Sequence, residues 1–411
     1  MPVSPSILTS EPLTGWHKTL PRKLASQSQG SLLIASVSGR ALARAAAEAG
    51  FVPLVADFFA DLDTQALSYR AYKVPGDLSN GFDWASLEPV LGALSQDAPS
   101  PIIGLINGSG FEDRPELLDQ IAERWPLLGN DAPCVSAVSD PARFFTSLAR
   151  LSIPHAETRL EPPRDLSGWL AKRLGGAGGS HVVPADERPT ARNVYFQKVV
   201  PGRQISLLFA ANGTRSIVLG ISEQWTSPTD GKPYRFGGAC QPARARRDIV
   251  QNMSELVSRA AQHFRLKGLN SADFLLDGDE AVLLEINPRP GRTLDIFANA
   301  EPALIRVHLD ALLDSRLPTE APAVDGATAS ATVFAPRRLA IPEPMNWPPW
   351  AVDLPIPGER IDKEHPICTV LAGAGSADAA RRLVQARTSD ILAMLSANGA
   401  LSNRDRVLAH D

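Results

Sequence analysis

Two short apolar runs in the second half of the chain carry side chains that could bind a divalent cation. Asp273 lies near the start of the first run, and Glu285 and Asn287 belong to the second. Asp277–Gly278 separates the runs, a dipeptide that favours a β-hairpin. Glu285 and Asn287 are two positions apart, so their side chains emerge on the same face of a strand. Carboxylate and amide oxygens of this kind suit Mg²⁺ that also contacts substrate phosphates.

A solvated surface hairpin is the alternative interpretation of this segment. Apolar residues precede Glu285 and Ile286 follows it, which places the carboxylate at the border of a core strand. A carboxylate in that environment is expected to be paired or bound to a metal, so we favour the metal site. Arg289 lies two positions beyond Asn287, where its guanidinium could hold a phosphoryl group during transfer.

A glycine-rich run supplies a second candidate site. Lys172 precedes Gly175, Gly176, Gly178 and Gly179. So many glycines form neither a packed helix nor a strong strand. Their backbone N–H groups can surround phosphates, and the lysine adds a positive charge. On composition alone, a flexible linker is an equally good interpretation.

Length and composition describe a globular protein with several subdomains. The chain has 411 residues, of which 44% are hydrophobic and 21% charged, and its formal net charge is −4. This charge leaves no basic surplus for general nucleic-acid binding. No apolar run approaches the roughly 20 residues that span a bilayer, and residues 1–30 lack a signal-peptide core. The widely spaced cysteines suit a reducing compartment, so we expect a cytoplasmic enzyme.

The first part of the chain alternates strands and helices. Residues 31–56 predict a βαβ unit, whose Ser38–Gly39 turn could hold an anion, although an ordinary tight turn is favoured. A further buried strand over 102–106 leads into a loop with Ser109 and Glu112. Glycines in that loop allow a ligand to approach closely, and Glu112 could bind an amine or hydroxyl. A plain strand-to-helix turn is the alternative.

The run DFLLDG…VLLEINPRPG resembles the metal-binding end of the ATP-grasp superfamily of carboxylate–amine ligases. The resemblance implies that Asp273, Glu285 and Asn287 hold two Mg²⁺ ions between the phosphates of ATP, with Mn²⁺ as an alternative ion. It implies that Arg289 stabilises the acyl-phosphate step. Lys172 and the glycine run resemble the lid that closes over the β- and γ-phosphates.

The strand that ends near Pro201 resembles the adenine-binding connection of the same superfamily. Backbone groups would pair with adenine, and because proline has no N–H the donor must be Val199 or Val200. Gln204 stands where many relatives carry Glu, and it could meet ribose or substrate. The implied nucleotide-binding residues are Lys172, Gly176, Gly178, Gly179, Gln197, Lys198, Val199, Val200 and Gln204.

One departure from the superfamily pattern concerns the phosphate site. Many relatives have Asp-Lys where this chain has Asp140–Pro141, and Arg143 is the candidate replacement for the lysine. The implied substrate residues are Ser109, Glu112, Arg235 and Arg292. For Arg235, a solvated arginine is an equal alternative to a carboxylate or phosphate ligand.

The expected fold is α/β (α+β), an ATP-grasp fold in several parts. We predict an N-terminal arm (1–30), a Rossmann-like α/β domain (31–138), a lid subdomain (139–200), a catalytic lobe (201–317) and a linker with a small β-rich C-terminal appendage (318–411). The appendage is assigned a structural role, with homodimer formation as an open alternative.

The resemblance implies an ATP-dependent ligase that joins a small carboxylate to an amine through an acyl phosphate. The SGRALA start and the GSGFE loop are similar to ATP-grasp proteins of archaea and methylotrophs. That group includes the tyramine–glutamate ligase of methanofuran and methylofuran synthesis, which implies a glutamate substrate and one-carbon metabolism. The alternatives are a carboxylase of the biotin-carboxylase or purine type, and an ATP-binding regulator without catalysis.

Overall fold

The computed structural model describes residues 29–76, 81–176, 178–187 and 193–400. Almost all of the predicted N-terminal arm, residues 1–30, lies outside these ranges. Within them, no helix is long and apolar enough to cross a membrane.

The N-terminal part is a parallel four-stranded sheet in the order β3-β2-β1-β4. Its elements are β1 (Ser31–Ala35), α1 (Arg40–Glu48), β2 (Val52–Asp57), α2 (Leu62–Leu67), β3 (Arg70–Lys73), α3 (Trp84–Gln96), β4 (Ile102–Asn107) and α4 (Glu116–Ala122). β1 and β2 are buried throughout, as expected for strands covered by helices on both faces. The loops that follow β1 and β4 meet at one edge of the sheet, where the Val37 N–H donates to the Ser109 carbonyl over 2.9 Å.

Two capped helices lead into a small antiparallel sheet. They are α5 (Ala132–Ser139) and α6 (Pro141–Arg150). Asp140 caps α6 by accepting from the Arg143 N–H over 3.0 Å, and Pro141 occupies the first turn. The sheet has the order β5-β8-β6-β7, from strands β5 (Thr158–Arg159), β6 (Trp169–Arg173), β7 (Val182–Pro184) and β8 (Val194–Lys198).

The largest sheet has eight strands, in the order β13-β12-β9-β10-β11-β14-β18-β16. The remaining elements are β9 (Arg203–Asn212), β10 (Ser216–Thr226), β11 (Phe236–Gln241), α7 (Arg247–Phe264), β12 (Lys267–Asp277), β13 (Glu280–Asn287), α8 (Leu304–Leu313), β14 (Ala327–Phe334), β15 (Leu339–Ala340), β16 (Ala351–Val352), β17 (Arg360–Ile361), β18 (Pro366–Ala374) and α9 (Ala377–Ala397). β15 and β17 form a separate two-stranded sheet.

The alternation along β9 shows how this sheet is packed. Leu207 and Phe209 face the apolar side of α7, whereas Leu208 and Ala210 pack with residues of α8 and of the N-terminal part. Successive strand residues point to opposite faces, so one strand contributes to two cores. The sheet therefore joins the N-terminal part to the rest of the chain.

The C-terminal segment extends this sheet. β14 pairs with β11 on one side and with β18 on the other. The strands of the segment predicted as an appendage are therefore continuous with those of the predicted catalytic lobe, and α9 packs against β14 and β18.

A buried histidine connects α8 to two other parts of the structure. His308 Nδ1 accepts from the Leu269 N–H over 2.8 Å, so Nε2 carries the proton and donates to the Leu128 carbonyl over 3.0 Å. Burial lowers the pKa of His308 to about 4. The neutral form is therefore the one that the fold accepts.

We expect His308 to contribute to acid denaturation. Its folded pKa lies below the unfolded value of about 6.5, so its stabilising contribution is complete above pH 6.5 and is lost as the pH falls towards 4. His308→Gln should remove up to about 3 kcal/mol of the fall in unfolding free energy across that window. Urea unfolding at pH 7 and at pH 4.5 measures the difference. The exposed His263→Gln should keep the wild-type pH dependence, and an unchanged dependence in His308→Gln would contradict the assignment.

Candidate active site

The hairpin of β12 and β13 brings the predicted metal ligands together. Asp273 and Glu285 are direct cross-strand partners. Asn287 Nδ2 lies 3.4 Å from an oxygen of each carboxylate. Side chains paired across neighbouring strands emerge on one face of the sheet, which explains why residues separated in sequence form one group.

The structure corrects the expected environment of Glu285. Its neighbours Leu283 and Ile286 are buried, but the Glu285 side chain is exposed. Asp273 is the more buried of the two carboxylates. Burial and the charge of Glu285 raise the pKa of Asp273 to about 7. The expectation that a carboxylate at the border of the core is paired or bound to a metal therefore applies to Asp273.

The donor set fits Mg²⁺ that shares its coordination with phosphates. No group of three or more His, Cys, Asp or Glu among the described residues is arranged to hold a metal. Two carboxylates and an amide leave coordination positions for water and phosphate oxygens, which is how Mg²⁺ is usually bound at phosphate sites. The repulsion that raises the pKa of Asp273 is also the interaction that a cation would relieve.

Lys172 lies on β6, within the electrostatic influence of these carboxylates. The side chain is buried, and its ammonium forms no hydrogen bond or ion pair with any described residue. Burial lowers its pKa, and the charges of Glu285 and Asp273 act against that shift. β6 therefore places a cation, without a partner among the described residues, where the charges of both candidate metal ligands act on it.

The glycine run is packed against the connection between β10 and β11. The Gly178 carbonyl accepts from the Phe236 N–H over 2.9 Å. Gly179 has φ +72°, and a Cβ there would lie 2.0 Å from the Tyr234 carbonyl oxygen. A Cβ on Gly176 would lie 2.2 Å from His181 Cγ. Close approach therefore requires glycine in this loop, independently of any ligand.

The strand predicted to contact adenine ends in backbone N–H groups, of which some are already engaged. The N–H groups of Lys198 and Val199 donate to the carbonyls of Glu157 and Gly168, each over 2.9 Å. In the described part of the chain, the Val200 N–H has no partner. Of the two donors predicted from the sequence, only Val200 remains available.

Arg289 connects the hairpin to the N-terminal part. Its Nε donates to Glu112 Oε1 over 2.7 Å, and Nη2 donates to Asn287 Oδ1 over 3.1 Å. Glu112 Oε2 also accepts from the Gly110 N–H over 2.8 Å. Burial alone would raise the pKa of Glu112, but Arg289 and the Gly110 N–H hold it below its usual range. Glu112 is therefore ionised and pairs with Arg289.

Comparison with known proteins identifies the domain that contains this site. Residues 138–293 match the family described as ATP-grasp domain. The matched segment contains β12 and β13 and is less than half of the chain. The carbamoyl phosphate synthase large chain of Rubrobacter xylanophilus is 23% identical over 340 residues, which cover 70% of this chain and 31% of that protein. The chain spans less than a third of the length of the curated relatives it matches.

Solved ATP-grasp structures share the fold over most of the chain. The biotin carboxylase domain of the Hydrogenobacter thermophilus 2-oxoglutarate carboxylase, a dimer with MgADP, ADP and bicarbonate, has a TM-score of 0.65 at 13% identity, covering 87% of this chain and 89% of that one. The Aspergillus clavatus N5-carboxyaminoimidazole synthase, with ADP and 5-aminoimidazole ribonucleotide, has a TM-score of 0.64 at 14% identity, covering 89% and 99%. The predicted ATP-grasp fold is confirmed.

Other predicted residues of the ATP-grasp site differ in their surroundings. Arg235 is buried and donates to the carbonyls of Ser227 over 2.9 Å and Glu364 over 3.3 Å. Its guanidinium also lies 3.7 Å from the centroid of the Phe334 ring. These contacts hold the connection between β10 and β11 in place. Arg235 is engaged by the protein's own carbonyl groups, so its substrate role stays a prediction.

The remaining predicted residues make few contacts. Arg143 is exposed on the first turn of α6, Gln204 is half-buried in β9, and the Ser109 carbonyl binds Val37 at the edge of the N-terminal sheet. Gln197 is buried, and its Nε2 donates to Thr158 Oγ1 over 3.2 Å. Gln197 therefore holds the lid sheet together through its side chain.

The sequence does not predict two residues that lie near the candidate metal ligands. Gln224 Nε2 donates to Asp273 Oδ1 over 3.2 Å. The hydroxyl of Tyr195 lies where burial and the charge of Glu285 raise its pKa. From the sequence, Gln224 can be placed on the strand that follows the Asn212–Gly213 turn. That position does not indicate that Asp273 accepts its hydrogen bond.

Loss of the Glu285 charge should weaken divalent-cation binding without unfolding the protein. Glu285→Gln removes an anionic ligand and also removes the repulsion on Asp273, so we expect the apparent affinity for Mg²⁺ in the presence of ADP to fall about tenfold or more. Calorimetric titration with ADP over a series of Mg²⁺ concentrations measures the effect. The exposed Glu280→Gln, at the start of the same strand, is the control. An unchanged Mg²⁺ dependence in Glu285→Gln would remove Glu285 from the site.

Proposed function

We propose that the chain is an ATP-dependent ligase that joins a carboxylate to an amine through an acyl phosphate. The observation that carries the proposal is the buried ammonium of Lys172, which has no partner among the described residues and on which the charges of Asp273 and Glu285 act. Arg289 lies at the end of the hairpin that carries those two carboxylates. This is the alternation of cations and metal ligands that a triphosphate requires. In such a ligase, Mg·ATP supplies the phosphoryl group, and ADP and phosphate are released.

The proposed mechanism assigns the protein a positioning and electrostatic role. Asp273, Glu285 and Asn287 would hold Mg²⁺, and Lys172 would neutralise phosphate charge from the lid. Arg289 would stabilise the acyl phosphate while its Nε stays bound to Glu112. The lid would exclude water until the amine nitrogen attacks the acyl carbon and the phosphate departs with the bonding electrons. Glu112, ionised and close to Arg289, would be available to bind the amine.

The proposed substrates are a small carboxylic acid and an amine, with glutamate joined to an amine in a methylofuran-type pathway as the specific form. The resemblance of the GSGFE loop supports this form. The proposed compartment is the cytoplasm, which agrees with the free cysteines Cys134, Cys240 and Cys368. A homodimer is included because the Hydrogenobacter domain is a dimer.

A carboxylase is the second candidate function. The Hydrogenobacter structure contains bicarbonate and the Aspergillus enzyme is a carboxyaminoimidazole synthase, and both are similar to this chain over most of its length. In a carboxylase of this kind, bicarbonate would take the place of the organic acid. The cleft residues described above fit either carboxylate.

ADP release against a panel of acid–amine pairs separates the candidates. Each pair is assayed with Mg·ATP, with and without added bicarbonate. Release that depends on one organic acid and one amine supports the ligase. Release that depends on bicarbonate and an acceptor supports the carboxylase. Tight binding of ATP with no release for any combination favours the regulator without catalysis and would overturn the proposal.

Removing the charge of Lys172 should affect ATP more than the fold. Lys172→Met keeps the length of a buried side chain and removes the cost of burying its ammonium, so the melting temperature should not fall. We expect kcat/KM for ATP to fall by about 100-fold. The exposed Lys73→Met in β3 is the matched control. An unaltered kcat/KM in Lys172→Met would contradict the lid assignment.

A further inference from the structure

Gln224 reaches a candidate metal ligand across an intervening strand. Its Nε2 donates to Asp273 Oδ1 over 3.2 Å. Gln224 belongs to β10 and Asp273 to β12, and β9 lies between these strands in the sheet. Neighbouring strands are about 4.8 Å apart, so both side chains must lean over β9 to meet. The β9 residue opposite Asp273 is Ser206, whose small side chain leaves room for this contact.

The position of Gln224 is fixed by the strands and side chains around it. Its backbone is paired with that of Ala239 on β11. Glu223 precedes it on β10, so the Glu223 side chain lies on the opposite face of the sheet. There, Glu223 Oε2 accepts from Arg203 Nη1 over 2.6 Å. The Gln224 amide therefore reaches Asp273 from a part of the sheet that is held on both faces.

The second oxygen of Asp273 faces the other candidate ligands. Asn287 Nδ2 lies 3.4 Å from Asp273 Oδ2 and 3.4 Å from Glu285 Oε1. The Asn287 Oδ1 atom accepts from Arg289 Nη2 over 3.1 Å, which turns the amide nitrogen towards the two carboxylates. A donor shared by two carboxylates lies where positive charge is favoured. A cation near that point would meet Oδ2 of Asp273, while Gln224 holds Oδ1.

The two oxygens of Asp273 are therefore not equivalent for a metal ion. To present both oxygens to one cation, the carboxylate would have to turn and give up its hydrogen bond with Gln224. Mg²⁺ requires a near-octahedral set of short bonds, to which a carboxylate contributes readily through one oxygen. Ca²⁺ accepts more ligands in a flexible arrangement and binds a carboxylate through one oxygen or two. A fixed, one-oxygen Asp273 thus suits the smaller ion.

We propose that Gln224 is a positioning residue that limits Asp273 to one oxygen for the cation and thereby favours Mg²⁺ over Ca²⁺. Gln224 acts through Asp273 and does not itself bind the ion. It takes this role only if Asp273, Glu285 and Asn287 hold the cation, as the proposed function states. Groups of this kind, which orient a metal ligand from behind, commonly set the affinity of a metal site.

Cation dependence of ADP binding tests the role of Gln224 without requiring turnover. The affinity for ADP is measured by calorimetry over a series of Mg²⁺ concentrations and, separately, of Ca²⁺ concentrations. Gln224→Leu keeps a side chain of similar size and removes the donor. We expect the apparent Mg²⁺ affinity to fall about tenfold. The apparent Ca²⁺ affinity should stay within about twofold, because Ca²⁺ tolerates either mode of carboxylate binding.

A second variant and a matched control accompany this substitution. Gln224→Asn keeps an amide but is one CH₂ group shorter, so it should not span β9 and should lose Mg²⁺ affinity as Gln224→Leu does. It carries the test if Gln224→Leu does not fold. The control is Gln251→Leu on α7, because Gln251 Nε2 also donates to a carboxylate, Glu255 Oε1, over 3.2 Å. This control should keep the wild-type affinities for both cations.

The ratio of the two cation affinities decides the outcome. An equal loss for Mg²⁺ and Ca²⁺ would show that Gln224 only supports the fold, and it would overturn the proposal. Unchanged affinities in the Gln224 variants would overturn it as well, while leaving the metal site intact. If ADP binding to the wild-type protein depends on neither cation, the metal site of the proposed function fails, and the role of Gln224 fails with it.

Discussion

The burial of Arg40 is the constraint that holds three separate segments of the chain together. The Arg40 side chain is 2% exposed. It donates to Asp295, which follows the β12–β13 hairpin, and to Asp353 in the C-terminal segment. Burial alone would lower the pKa of Arg40, but these two carboxylates raise it well above its ordinary value. A buried charge without partners is strongly destabilising, so the three segments must meet around it. The segment that follows the β12–β13 hairpin is therefore held against the N-terminal and C-terminal parts by this guanidinium.

The same edge of the N-terminal sheet shows how internal carboxylates limit where ligands can bind. The sequence of the Ser38–Gly39 turn before α1 allows an anion site, although it favours an ordinary tight turn. The Gly39 N–H in that turn donates to Asp57 Oδ2 over 2.8 Å. The protein's own carboxylate thus occupies the position that an external anion would take. An external anion is instead expected near Lys172, whose ammonium has no partner among the described residues.

The parts predicted well from the sequence are those governed by local rules. The Asp277–Gly278 turn fixes the hairpin register, and the register brings Asp273 opposite Glu285. Asp140 caps the helix that its Asp-Pro sequence predicts. Burial could not be inferred in the same way: apolar neighbours suggested that Glu285 borders the core, but that side chain is exposed. Contacts across the chain, such as Arg289 with Glu112, depend on how separate sheets pack and have no local signal.

The charge state of the Lys172 ammonium depends on the charged groups around it. A buried ammonium is costly, and the carboxylates of Asp273 and Glu285 offset only part of that cost, since the pKa of Lys172 remains lowered. A polyphosphate beside the lysine would add negative charge and favour the protonated form. Mg²⁺ between the carboxylates would act in the opposite direction by neutralising them. A metal and a polyphosphate therefore act on the Lys172 ammonium in opposite directions, and binding both together would change its pKa less than binding either one alone.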